Sequence, residues 1–93
     1  MNAGGHDRVD LIRERLQAAL SPETTDIRDD SALHAGHAGA RSGGGHFQLT
    51  IVAEAFRGKS LLERHRMVYE ALGSMMSTEI HALSISAYTP DER

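Results

Sequence analysis

Three histidines and five glycines share the seventeen residues SALHAGHAGARSGGGHF, positions 31–47. Neutral imidazole is a good ligand for iron, zinc or copper. A glycine-rich backbone can carry His34, His37 or His46 to wherever a metal is presented. No helix or strand favours this composition, so the spacing His34-x-x-His37 has no periodic support. By composition alone, a metal-binding loop and a plain flexible connection both remain open.

Other residues offer different chemistry. Gly36-His37-Ala38-Gly39 has the G-x-x-G form that clamps a nucleic-acid backbone in KH domains, where it joins two helices. Here it falls between two expected strands and reads as a coincidence of a glycine-rich loop. FRGKSLLERHR (56–66) gathers Arg57, Lys59, Arg64 and Arg66 around a helix start. Helix amides and cations together can hold phosphate, so these four are candidates for phosphate or nucleic-acid contact. The plainer alternative is a solvated basic edge balanced by Glu63. His65 lies on the apolar stripe of the same helix and reads as a structural residue, buried beside Leu62 and Tyr69. It should be hydrogen-bonded through a ring nitrogen. For catalysis the chain offers no cysteine nucleophile, no G-x-S-x-G elbow and no nucleotide-binding glycine pattern. Asp29-Asp30 reads as solvated surface. The expectation is a protein that is not an enzyme.

These residues need elements to hold them. Val9, Ile12, Leu16, Ala19 and Leu20 recur at helical spacing, with Asp7 as a plausible N-cap and Ser21-Pro22 as the stop. TTDIRDD (24–30) favours a weak strand. In HFQLTIVA (46–53), Phe47, Leu49, Ile51 and Ala53 fall on one face of a clear strand. Ser60 and Glu63 form a capping box that opens a helix over 60–76. Its stripe is Leu62, His65, Tyr69, Leu72 and Met76, and Gly73 weakens its end. HALSISAYT (81–89) alternates as a last strand before Pro90. The order is α-β-β-α-β, with a short extra helix allowed beside the main one. A strand-helix-strand unit favours a parallel pair, and the loop-linked first two strands should be antiparallel. The result is an α/β fold with a three-stranded mixed sheet covered by helices.

Ninety-three residues support one modest core. A flexible lead over 1–8, a domain over 9–90 with a mobile loop at 31–45, and a tail at 91–93 are expected. The formal net charge of −3 argues against a chain devoted to coating nucleic acid or a membrane. There is no cysteine, hence no disulfide and no thiolate for a metal. No apolar run suits a signal core or a membrane span, which makes the cytoplasm the default expectation.

DDSALHAGHAG, HFQLTIVAEAFRGKSLLERHRMVYEAL and IHALSI, in this order, resemble the BolA family over residues 9–90. The combination of F-x-G-K-S, R-H-R-x-V-Y and I-H-A-L is specific. The resemblance implies a class II KH-like fold, α-β-β-α-(α)-β, in agreement with the order above. It also implies partnership with a monothiol glutaredoxin, a shared [2Fe-2S] cluster completed by glutathione, and a role in iron-sulfur trafficking or iron regulation. Bacterial members are described as transcriptional regulators of morphology and stress response, so DNA is an alternative partner. Carried over by position, the implied metal ligands are His34 and His81, with His37 in reserve. His46 matches the family's H-F pair and looks structural. Ala32 departs from relatives that carry a polar residue or histidine there. The free protein is expected to be a monomer or a weak homodimer, with no membrane association.

Overall fold

The computed structural model describes residues 5–30 and 45–93, with backbone alone for 5–7. The expectations for His34, His37, the G-x-x-G and a mobile loop therefore fall on 31–44, outside the described residues. Helix α1 runs Gly5–Leu20, strand β1 Thr24–Asp29 and strand β2 Gly45–Val52. Helices α2 (Leu61–Leu72) and α3 (Met75–Thr78) follow a short 3-10 turn, and strand β3 (Ile80–Tyr88) ends the fold. The sheet order is β1-β2-β3, with β1 antiparallel and β3 parallel to β2. This is the expected mixed α/β sheet. Among the described residues, no helix is long and apolar enough to cross a membrane.

Local chemistry sets the boundaries. Helix α1 begins at Gly5, so Asp7 is inside the first turn instead of capping it. Ser21 closes the helix with a left-handed φ of 46° and donates its N–H to the Gln17 carbonyl, and Pro22 forbids continuation. The motif Phe56-Arg57-Gly58-Lys59 is a type II turn. Arg57 has φ −63° and ψ 131°, Gly58 has φ 77°, and Lys59 N–H donates to the Phe56 carbonyl. The third position of such a turn favours glycine because L side chains resist positive φ. Ser60 Oγ then accepts from Glu63 N–H at 3.1 Å, while Ser60 N–H donates to Glu63 Oε1 at 2.8 Å. The capping box stands as expected. Helix α2 stops at Gly73, whose φ is 56° and whose N–H reaches the Tyr69 carbonyl.

Phe47, Leu49 and Ile51 alternate into the core, where Ile12 and Leu16 of α1, Phe56, Val68 and Leu72 of α2, Met75, Ile80 and Ala87 meet them. Among the described residues no helix covers the other sheet face, which is polar, with Gln48, Ser84 and Ser86 exposed. One expectation fails on α2. Its buried line is Val68 and Leu72, continued by Met75 of α3, whereas Leu62 is 66% exposed and Tyr69 43% exposed. Both lines keep helical spacing, so periodicity could not rank them. Arg64 decides the rotation. Its guanidinium reaches the Ala87 carbonyl at 3.1 Å and so pins that face of α2 to β3. Arg15 of α1 donates to the Leu72 carbonyl at 3.0 Å, placing a cation at the helix C-terminus where its dipole favours one. His65 is half-buried, and its Nε2 is buried with no hydrogen-bond partner among the described residues, contrary to the expected satisfied ring.

The chain end folds back as a clamp. Arg57 bonds Glu54 and reaches Asp91 at 2.9 Å. Arg64 grips Glu92 through two bonds of 2.6 and 3.0 Å. Thr89 donates its N–H to Glu92 and its hydroxyl to Asp91. The Arg57 guanidinium, with help from Thr89, holds the Asp91 carboxyl at about 2, and that of Arg64 holds Glu92 at about 2.

Two outcomes follow from this packing. Val68→Ala should cost about 2 kcal/mol or more by removing fully buried methyls, while Leu62→Ala should stay within about 0.5 kcal/mol. Chemical denaturation of both variants checks this, and equal costs would restore the alternative stripe. The clamp carboxylates have folded pKa values below their unfolded ones. Their contribution is therefore complete above the ordinary value of 4.5 for Glu92 and is lost as pH falls toward about 2. Glu92→Gln should melt below the parent protein at pH 7, and thermal scans should show the gap closing by pH 2.

Candidate functional site

The parallel pairing of β2 with β3 brings the starts of both strands to one end of the sheet. Gly45 pairs with Ile80, but His46 pairs with Ala82, so the register slips by one residue and leaves His81 as the extra residue of a β-bulge. A bulge suspends strict alternation and re-aims a side chain, and bulges are enriched beside functional sites. Here the His81 ring comes to rest against His46, with centroids 5.0 Å apart and planes inclined by 40°. His81 is exposed, and His46 is half-buried with its Nε2 enclosed by protein.

The surroundings hold both strands firmly. Gly45 N–H donates to the Glu79 carbonyl at 3.1 Å, and Asp30 N–H donates to the His46 carbonyl at 2.7 Å. Arg8 of α1 reaches Glu79 at 3.2 Å, tying the residue two places before His81 to the first helix. Beside the rings, Asp30, His46, Phe47, Ala82, Leu83 and Ser84 line an open hollow of about 250 Å³. The Asp30 carboxylate on its rim accepts from Gln48 and pairs with Arg28. No group of three or more metal-binding side chains gathers among the described residues. Any metal held at this end of the sheet needs donors from beyond the two rings.

The sequence singled out His81 and took His46 as structural. The structure places them side by side. A signal was available, because strands starting at His46 and His81 and running parallel must bring these two residues together.

The basic edge looks different from its sequence. Of Arg57, Lys59, Arg64 and Arg66, the two arginines Arg57 and Arg64 are spoken for by Glu54, Asp91 and Glu92. Their partners raise both guanidinium pKa values, through Glu54 first for Arg57 and Glu92 first for Arg64. Lys59 and Arg66 are exposed and make no ion pair within 4 Å among the described residues. A four-cation phosphate site is thereby reduced to two.

Residues 16–92 match the family of BolA-like proteins. The chain is 46% identical over 86 residues to "SufE-like protein 1, chloroplastic/mitochondrial" of Arabidopsis thaliana, covering 87% of this chain and 23% of that protein. It is 40% identical over 81 residues to the "DNA-binding transcriptional regulator BolA" of Escherichia coli K12, covering 87% of this chain and 74% of that one. It spans 56% of the length of mammalian and plant BolA-like relatives. The solved BolA domain of SufE1 from Arabidopsis thaliana superposes with a TM-score of 0.79 at 42% identity, covering 99% of this chain and all of that domain. By sequence and by fold alike, this chain belongs to the BolA-like protein family.

Proposed function

We propose that this protein is a non-enzymatic partner of a monothiol glutaredoxin and shares a [2Fe-2S] cluster with it, in iron-sulfur trafficking or iron regulation. The observation that carries the reading is His81. It is an exposed imidazole lifted out of the strand pattern by a bulge, in a chain that holds no cysteine. Two histidines on one iron of such a cluster are chemically acceptable. The other iron needs thiolates, which this chain cannot offer and a glutaredoxin cysteine with bound glutathione can. The donor set therefore fits half a cluster site and not a whole one. In this reading His81 is the ligand fixed by the sheet, and His34 closes from the loop with His37 in reserve.

A second reading, a DNA-binding transcriptional regulator, draws on the name of the Escherichia coli relative, with morphology and stress response carried over only from the family resemblance. Neutralisation of Arg57 and Arg64 weighs against it, because phosphate contacts supply most nonspecific affinity. Lys59 and Arg66 would have to carry it.

Mixing the protein with a monothiol glutaredoxin, glutathione, iron and sulfide should produce a complex with visible cluster absorption and circular dichroism. His81→Ala should abolish it, since the rigid ligand sets where iron sits. His34→Ala should weaken it or change its spectrum. A normal cluster spectrum in His81→Ala would overturn the reading. Under the DNA reading, Lys59→Ala with Arg66→Ala should reduce the salt slope of a gel shift by about 2. No shift in the parent protein at low salt would remove that reading.

A further inference from the structure

We infer that the outer edge of β1 docks a second copy of this chain, antiparallel about a two-fold axis through Ile27, so that two three-stranded sheets join into one. The inference goes beyond the proposed function and does not rest on it. Residues of an antiparallel strand alternate between turning N–H and C=O toward the partner strand and away from it. Asp30 N–H donates to the His46 carbonyl, so positions 30, 28, 26 and 24 turn toward β2 and positions 29, 27 and 25 turn outward. Arg13 of α1 agrees with this alternation, since it reaches the Thr25 carbonyl at 2.8 Å. Among the described residues, no strand pairs with this outer side, and no bond from beyond the sheet reaches the Ile27 backbone.

The charges of β1 decide which strand fits. Two copies paired antiparallel, with Ile27 opposite Ile27, set Asp26 opposite Arg28 twice over. The two Ile27 residues then exchange both backbone bonds, so each flanking Asp26–Arg28 couple is of the closer, non-hydrogen-bonded kind. Opposite charges so placed stabilise a sheet, and like charges oppose it. Both side chains lie on the polar sheet face, where they line an open hollow with Gln48 and Thr50. Asp26 makes no hydrogen bond or ion pair through its side chain among the described residues. Arg28 makes long contacts, 3.3 Å to Gln48 and 3.4 Å to Asp30, and 70% of its side chain is exposed. TTDIRD contains no proline or lysine to blunt the edge, and its pairing with β2 shows no bulge. Arg13 does not close the edge either, because a carbonyl can accept a second bond. One short strand from each copy makes a small interface, so the dimer is weak and forms at high concentration.

The test uses the full chain without an affinity tag, iron or glutaredoxin, so its outcome is independent of the cluster reading. Sedimentation equilibrium from about 10 µM to about 1 mM should show the mean mass rising toward twice that of one chain. Hydrogen exchange at the upper concentration should protect the Ile27 amide, which exchanges freely in dilute solution. The Asp26 and Arg28 amides, bonded to β2, should be protected at both. Asp26→Arg and Arg28→Asp, both at exposed positions, should fold as the parent does, which circular dichroism checks. Each should self-associate about tenfold more weakly, because each substitution enters the interface twice. Mixed in equal amounts, the two variants should associate as the parent does, since every opposing couple in the mixed dimer then has opposite signs. A parent that stays monomeric at every concentration would overturn the inference and leave the edge to a strand of some other protein. Variants that associate as the parent does, an Ile27 amide unprotected in the dimer, or a mixture that gains nothing over its components would each overturn it too.

Discussion

Parallel pairing of β2 and β3 is the constraint from which the rest of this fold follows. Two parallel neighbours cannot be joined by a hairpin, so the chain must leave the sheet after Val52 and return at Ile80 by a crossover. The crossover contains the 3-10 turn, α2 and α3, and it deposits these on one face. The same pairing places the starts of both strands at one end. There the Gly45–Ile80 and His46–Ala82 registers disagree by one residue, and His81 becomes the bulge. The imidazole pair is thus a product of topology and one inserted residue, not of a local motif.

At the opposite end of β3 the crossover is locked by charge. Arg64 is mostly buried on the inner side of α2, and it satisfies the Ala87 carbonyl and the Glu92 carboxylate at once. An edge strand presents unpaired carbonyls that invite another chain, and covering one with a guanidinium blunts that tendency. Exposed ion pairs contribute little individually, but a bidentate arginine within a network has better geometry than most. The cations that suggest a phosphate surface in the sequence are therefore partly internal structure. Sequence displays their number but not their partners, because Asp91 and Glu92 lie more than twenty-five residues away from Arg64 along the chain.

What the sequence made legible divides along the same line between local and distant causes. The capping box at Ser60, the stop at Ser21-Pro22, the break at Gly73 and the alternation of Phe47, Leu49 and Ile51 depend on near neighbours, and each is present. The rotation of α2 depends on tertiary contact. Leu61, Leu62, Met67, Val68, Leu72, Met75 and Met76 offer two overlapping apolar lines, and the Arg64 contact with β3 selects the one through Val68. His65 was assigned to the rejected line, which is why its expected neighbours are at the surface. The start of α1 was placed late because Asp7 is a good cap by type, yet the helix extends to Gly5.

The histidines show how far residue identity goes without register. All of them are equal as donors in the sequence, and the family resemblance points to His34 and His81. Register adds a distinction the pattern lacks. His46 and His81 lie on paired strands, where Asp30 N–H donates to the His46 carbonyl and Gly45 N–H to the Glu79 carbonyl, two residues before His81. A side chain on paired strands has little backbone freedom left to lose on binding. With no cysteine in the chain, any thiolate donor would have to arrive from elsewhere. Under the proposed function, a donor set held by the sheet and lacking thiolates would favour association with a partner that supplies them, a consequence of strand register and composition together.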